Sequence, residues 1–338
     1  MRELETQAAE LFTRAQDMNR DGQTAQAIQV LQEALAELAD EPASELKSQI
    51  LRETGLAFRA AGDIAESGHA YDEALAVAQS CGSSAEEAYA LNGIAIANQL
   101  KGDLTTADEQ YTAAARLAAS NGLLRLTGMI EQNRGVIANI SGDLEKAKRR
   151  YKIALAAFQM TKDIQGTCWV LNNLGMLCAD QGQLEEGLQS FDNARIAAEE
   201  VGDQQLRARV EINRAEVLIK ADQPSAAREA LEGALEIAED GGYRLLAGEA
   251  LRYVAQIDRF EGHPRNALRN LEVVVEIARS APDMLLLAEA QREAGQCWLQ
   301  LGDTALATEA WTDSATIFSD LGAAEDHASV EELLSQLP

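Results

Sequence analysis

The sequence predicts an all-α protein, an array of eight antiparallel helix pairs followed by one capping helix. Three regularities predict it. A turn former recurs at a constant interval, at Gly22, Gly62, Gly102, Gly142, Gly182, Asp222, Gly262 and Gly302. Small residues recur at fixed offsets from that position. Large apolar or aromatic residues recur on the same helix face as the small ones. Self-similarity at a fixed period of this size marks a repeat architecture, in which each unit buries its apolar face only against its neighbours.

The pairs run in order over residues 3–42, 43–82, 83–122, 123–162, 163–202, 203–242, 243–282 and 283–322. Each half has room for a helix of about 16 residues, roughly 24 Å long. The residue after the first turn is Gln23, Asp63, Asp103, Asp143, Gln183, Gln223, His263 or Asp303. Asp is a good acceptor for the orphan N–H groups of the following helix, and His263 is expected to cap rather than to ligate. Pro224 and Pro264 fall at the first helical position, where a missing N–H costs nothing. A second series closes the hairpins at Gly82, Gly122, Gly202, Gly242 and Gly322, interrupted by Lys162 and Pro282.

Close helix approach needs small side chains. Seven residues before the turn stand Ala15, Gly55, Ala95, Gly135, Gly175, Ala215, Ala255 and Gly295. Five residues after it stand Ala27, Ser67, Ala107, Ala147, Gly187, Ala227, Ala267 and Ala307. Four further on come Leu31, Tyr71, Tyr111, Tyr151, Phe191, Leu231, Leu271 and Trp311, expected to fill the space between neighbouring hairpins. The remaining segment, 323–338, has an apolar stripe at Val330, Leu333 and Leu334 and reads as a cap over the last hairpin. With short turns and no Pro/Gly/Ser-rich linker, residues 1–338 are expected to form a single domain.

The formal net charge is −26. That argues against nucleic acid, which needs a basic field, and against anionic membrane surfaces. No run reaches the roughly 18 apolar residues needed to span a bilayer, and MRELETQAAELF shows no apolar leader. A cytoplasmic protein is expected. The four cysteines form no CxxC pair, and Cys168 and Cys178 fall too far apart on one helix to bridge. The histidines, His69, His263 and His327, are scattered, and no metal, phosphate-binding or nucleophile motif is present. No cofactor, no metal site and no catalytic residue is expected.

The Gly/Ala column, the turn Gly-Asp, the small column, the aromatic column and the Ala three residues after it resemble the tetratricopeptide repeat family, over Glu3 to Gly322. The family's usual period is about 34 residues. The longer period here, Gly22 to Gly62 and onward, with LNNLG at 171–175, is similar to its extended subclass. That subclass includes Pins-type G-protein modulators and bacterial Rap-type peptide sensors, with kinesin light chains close by. The resemblance implies a right-handed superhelical solenoid whose first helices line a concave groove. The lining columns it implies lie on one face of each first helix, ahead of the turn.

On that face lie Tyr89, Asn92 and Ile96, then Met129 and Gln132 with Asn133 beside them, then Trp169, Asn172 and Met176 with Asn173 beside them, then Arg209 with Asn213, and Arg252. Amides can satisfy an extended peptide backbone, Trp, Tyr and Met can bury an apolar anchor, and Arg can pair with peptide carboxylates; the competing reading is that Trp and Met pack within the fold and the inward arginines pair with acids of neighbouring repeats. With the next column included, the lining holds Arg20, Arg52, Arg59, Arg209, Lys220, Arg252, Arg259 and Arg292 against Asp180, Glu216, Glu249 and Glu289, an excess of +4. EQNRG at 131–135 and EINRA at 211–215 depart from the family and read as semi-buried helix-borne Glu–Arg pairs, the alternative being a ligand-binding Arg134 or Arg214. The Lys/Asn carboxylate clamp of chaperone-binding relatives is missing.

The expectation is therefore a monomeric, non-enzymatic scaffold that holds a protein or peptide segment bearing acidic and apolar residues. The alternative is a sensor whose superhelix changes shape on binding a signalling peptide or small ligand, although family sensors carry an effector region for which the array leaves no room. Self-assembly ranks third.

Overall fold

The computed structural model describes residues 2–337, so Met1 and Pro338 of the expected array lie outside the described residues. Those residues form 17 α-helices and no strand. The pairs are α1 (Arg2–Arg20) with α2 (Thr24–Glu37), α3 (Glu45–Ala60) with α4 (Ile64–Cys81), α5 (Ser84–Leu100) with α6 (Leu104–Ser120), and α7 (Leu124–Ile140) with α8 (Leu144–Thr161). Then follow α9 (Ile164–Asp180) with α10 (Leu184–Val201), α11 (Gln204–Lys220) with α12 (Pro224–Asp240), α13 (Arg244–Phe260) with α14 (Pro264–Ser280), and α15 (Met284–Gln300) with α16 (Thr304–Asp320). The last helix, α17 (Ala324–Ser335), buries Val330 against Trp311 and Phe318, with Leu333 and Leu334 beside it. The chain divides into two compact units, Met1–Val170 and Leu171–Pro338, with the division inside α9.

The turns do what their chemistry dictates. Asp63, Asp103, Asp143 and Asp303 each accept a backbone N–H three residues on, at 3.0–3.1 Å. Lys162 and Asp222, non-glycine members of the two turn series, take the same left-handed conformation as the glycines, with φ of 55° and 56°. His263 departs from expectation: it stands at the helix start, but its side chain makes no capping hydrogen bond. The first pair also departs, because α2 ends at Glu37 and Ser44 then starts α3 by accepting the Lys47 N–H.

The aromatic column was expected to fill the space between hairpins, and it also packs within each hairpin. A Cβ at Gly55 would sit 2.9 Å from the Tyr71 ring, one at Gly135 2.5 Å from Tyr151, and one at Gly175 2.7 Å from Phe191; Trp311 lies over Gly295 in the same way. Where the ring is replaced by Leu31, Leu231 or Leu271, the facing residue is Ala15, Ala215 or Ala255. Between hairpins, Tyr71 also covers Gly93 of α5, and Phe158 of α8 lies against Gly128 of α7 and Gly166 of α9. The second small column makes backbone contact: the Ser67 hydroxyl donates to the Gly55 carbonyl at 2.8 Å, and a Cβ at Gly187 would meet the Gly175 carbonyl. These contacts place the first helices of each unit side by side, so that their remaining face is available to build a site.

Candidate functional site

In the Met1–Val170 unit the first-helix face opens into a cleft of about 350 Å³. Its walls include Ile96 of α5, Met129, Gln132 and Asn133 of α7, and Trp169 of α9, with Arg59 of α3 at one side. Trp169 is 39% exposed, unusual for so large an apolar side chain. The Arg125 guanidinium pairs with the Asp163 carboxylate at 2.6 Å on the rim. Arg125 and Gln165 line the cleft although neither lies in the expected columns. Each stands one helical turn ahead of the first expected column, before Met129 and Trp169 respectively, so the same spacing carried one step further finds them.

Tyr89 lies outside this cleft's lining. It is half-buried beneath the Arg52 guanidinium, 4.7 Å from the ring centroid, and Arg52 also faces Glu86 at 3.5 Å. Asn92 is buried, and its side-chain oxygen accepts no hydrogen bond among the described residues. Asn133 neighbours the Tyr111 hydroxyl, which donates to Gln99 at 2.9 Å.

In the Leu171–Pro338 unit the polar side chains of the corresponding face pair with one another. Asn172 is buried and accepts a hydrogen bond from Asn213 at 3.0 Å. Asn173 and Met176 are half-buried. Arg209 pairs with Glu249, and Arg252 with Glu289 at 3.1 Å, around a cleft of about 260 Å³ that Ile212, Tyr253 and Leu285 also line. Arg252 stacks on Tyr253, whose hydroxyl donates to Glu216 at 2.6 Å, while Lys220 meets Glu216 at 2.8 Å. Burial alone would push the Glu216 carboxyl up, but the hydrogen bonds from Lys220 and Tyr253 outweigh it and hold the group below its ordinary range. Glu289 titrates above its ordinary range because burial outweighs the opposing Arg252 and Arg292 charges.

These pairs correct the expected positive lining. Seven of the eight basic residues already face an acid: Arg20 with Asp17, Arg52 with Glu86, Arg209 with Glu249, Lys220 with Glu216, Arg252 with Glu289, Arg259 with Glu293, and Arg292 with Asp326. Asp17, Glu86, Glu293 and Asp326 stand just outside the counted columns, and those four acids cancel the +4. Arg59 is the remaining basic residue. It forms no ion pair among the described residues, its charge acts on the nearby Tyr71 hydroxyl, and its Nε is buried without a hydrogen-bond partner among them.

In the EQNRG and EINRA segments the Glu and Arg side chains are paired within the chain. Glu131 meets Arg134 at 3.5 Å and Arg150 of α8 at 2.8 Å, and Arg134 reaches Asp108 of α6 at 2.8 Å. Glu211 meets Arg214 at 3.6 Å, and Arg214 reaches Asp192 of α10 at 3.2 Å. Each pair ties a first helix to second helices. No group of three or more His, Cys, Asp or Glu side chains suited to a metal ion occurs among the described residues, and no helix among them is long and apolar enough to cross a membrane.

Residues 166–240 match the family described as tetratricopeptide repeat. No curated protein matches the sequence. Among solved structures, a Rap protein complexed with competence and sporulation factor is similar with a TM-score of 0.64 at 14% identity, over 98% of this chain and 97% of that one. The apo form of the quorum sensor NprR from B. thuringiensis gives 0.61 at 14% identity, over 98% of each chain. A signal transduction ATPase with a tetratricopeptide repeat sensor from Pyrococcus horikoshii gives 0.68 at 14% identity, over 89% of this chain and 46% of that one. At these identities the likeness is one of fold.

Proposed function

We propose that this chain, a tetratricopeptide repeat protein in its fold and in its 166–240 match, is a non-enzymatic interaction protein that holds a peptide segment on the first-helix face of its Met1–Val170 unit. The observation that carries this reading is the cleft in which an exposed Trp169 stands with Met129, Ile96 and the amides of Gln132 and Asn133. Exposed aromatic surface beside amide donors and acceptors suits an extended chain with one apolar anchor, because the ring supplies buried area and the amides satisfy main-chain groups. That a similar structure, the Rap conjugation gene regulator of the plasmid pLS20, is in complex with the Phr* peptide adds support for a peptide as the occupant. In the other unit, Asn172, Asn213, Arg209 and Arg252 are assigned to joining hairpins, since their polar groups are met within the chain. Asn173 and Met176, also in that unit, are half-buried.

The test is photo-cross-linking of a randomised heptapeptide library to the full chain. A cross-linking residue at Met129 is expected to capture peptides, and one at Ile153, exposed on the second helix α8, is not. Trp169→Ala and Asn133→Ala should each weaken the captured peptides at least about tenfold. Undiminished affinity in both variants, or capture from position 153 alone, would overturn the assignment.

A further inference from the structure

Two second helices carry opposite charge on the same columns of the repeat. Helix α8 holds five basic residues, Lys146, Lys148, Arg149, Arg150 and Lys152, and one acid, Glu145, in a chain of net charge −26. Two periods later, α12 holds five acids, Glu229, Glu232, Glu236, Glu239 and Asp240, and one cation, Arg228. Some of this charge is used inside the chain: Lys146 faces Asp108, Arg150 faces Glu131, and Arg228 faces Asp258 and Glu261. Arg149 and Lys152 are exposed and form no ion pair among the described residues, and the same holds for the five α12 acids.

Helical spacing puts Arg149 and Lys152 on one face with Ile153, Ala156 and Met160. Ile153 is 46% exposed and Met160 70%. The same columns of α12 hold Glu229, Glu232, Gly233, Glu236 and Asp240. Gly233 is the informative member. Glycine inside a helix is destabilising relative to alanine, and the other glycines inside helices here have a neighbour close to where a Cβ would stand. At Gly233 nothing lies within 4 Å. It stands in the wall of a concavity of about 510 Å³, with Glu236, Ile237, Asp240 and Tyr243. Arg207 also lines that concavity, and its charge acts on Glu211 of its own helix.

We infer that α8 of one copy of this chain docks on α12 of a second copy, with Arg149 and Lys152 against the α12 acids and the Ile153–Met160 face entering the opening beside Gly233. The α8 charges select an acidic partner surface, and α12 supplies one whose backbone is bare at its centre. Exposed charges more than about 8 Å apart are largely screened at physiological ionic strength. The opposed local charges therefore outweigh the repulsion between two acidic chains. The contact is independent of the peptide-binding reading, which uses first helices, and it replaces the monomer expected from the sequence.

The test is sedimentation velocity of the full chain over a concentration series, which is expected to show self-association. Arg149→Glu with Lys152→Glu should weaken it at least about tenfold, and so should Glu232→Lys with Glu236→Lys, because each change sets like charges opposite one another. An equimolar mixture of the two reversed chains should recover association, since each reversed face then meets its opposite. Misfolded chains would not recover it. Gly233→Gln should hold or raise the melting temperature, because glycine is lost from a helix, and should still weaken association by filling the opening. A parent chain that stays monomeric throughout would overturn the inference, including one whose Arg149 and Lys152 instead bind duplex DNA or phosphatidylserine vesicles. Self-association that survives either double reversal would overturn it equally.

Discussion

The two clefts are built from the same columns of the same repeat and behave oppositely. At the first lining position of successive hairpins, the first unit places Tyr89, Met129 and Trp169, and the second places Arg209, Glu249 and Glu289. In the second unit the arginine of one hairpin finds the acid of the next, and the pairs Arg209–Glu249 and Arg252–Glu289 stand around a smaller cleft of about 260 Å³. In the first, Met129 and Trp169 have no such partner and the cleft stays open. The amides repeat the contrast. Asn133 follows Asn92 at the same interval as Asn213 follows Asn172, yet only the second pair is joined, by a 3.0 Å hydrogen bond. The repeat determines where a side chain is placed. Its availability to a partner is determined by what the next hairpin puts opposite it.

The contrast can be broken most forcefully from the paired side. Arg252→Ala strips the partner from a largely buried Glu289 and is expected to cost about 3–5 kcal/mol in a denaturant titration. Arg252→Met with Glu289→Leu should restore most of that, because a buried pair replaced as a unit loses little. Neither change should alter peptide binding in the first unit. On the open side the expected effects exchange places: Trp169→Ala should cost about 2 kcal/mol of peptide affinity by anisotropy with the melting temperature nearly unmoved. Next come the amides. Asn213→Ala should lose about 1 kcal/mol of stability by leaving the Asn172 oxygen unmet, whereas Asn133→Ala should be felt in binding.

The smallest effect is one of pH. Glu216 titrates below its ordinary value, so the unfolded chain binds its proton more tightly, and its stabilising contribution is lost as pH falls through the folded value. Glu289 is shifted upward, so its contribution is present in acid and lost as pH rises through the folded value. Between neutral pH and about pH 4, Glu216→Gln should flatten the loss of stability and Glu289→Gln should steepen it. Equal slopes for both variants and the parent would show that the network is not coupled to folding.

The architecture was legible because it repeats. A turn glycine at a constant interval and a Gly/Ala column ahead of it leave few alternatives to stacked hairpins, and the Asp caps at 63, 103, 143 and 303 follow from local chemistry alone. The charge of the site was not legible in the same way. Glu86 and Asp326 each lie two helices beyond the arginine they neutralise, in columns that the lining rule does not include, so a count within the columns returned +4 where the geometry shows compensation. Arg59 could not be distinguished from its seven counterparts until their partners were placed. Asn92 and Asn172 likewise occupy one column with one spacing to the next amide, and only the packing separates the bonded from the unbonded.

The ring-over-glycine contacts carry one consequence for the history of the array. Gly55 with Tyr71, Gly135 with Tyr151, Gly175 with Phe191 and Gly295 with Trp311 each fall inside a single period, one partner on either side of its turn glycine. A duplication or excision of one whole period therefore carries cavity and filler together and leaves no mismatch at that contact. A crossover at the turn glycine, midway through a period, could set a ring over an alanine from another copy. The contacts that cross a period boundary, Tyr71 over Gly93 and Phe158 over Gly166, are not carried together in this way.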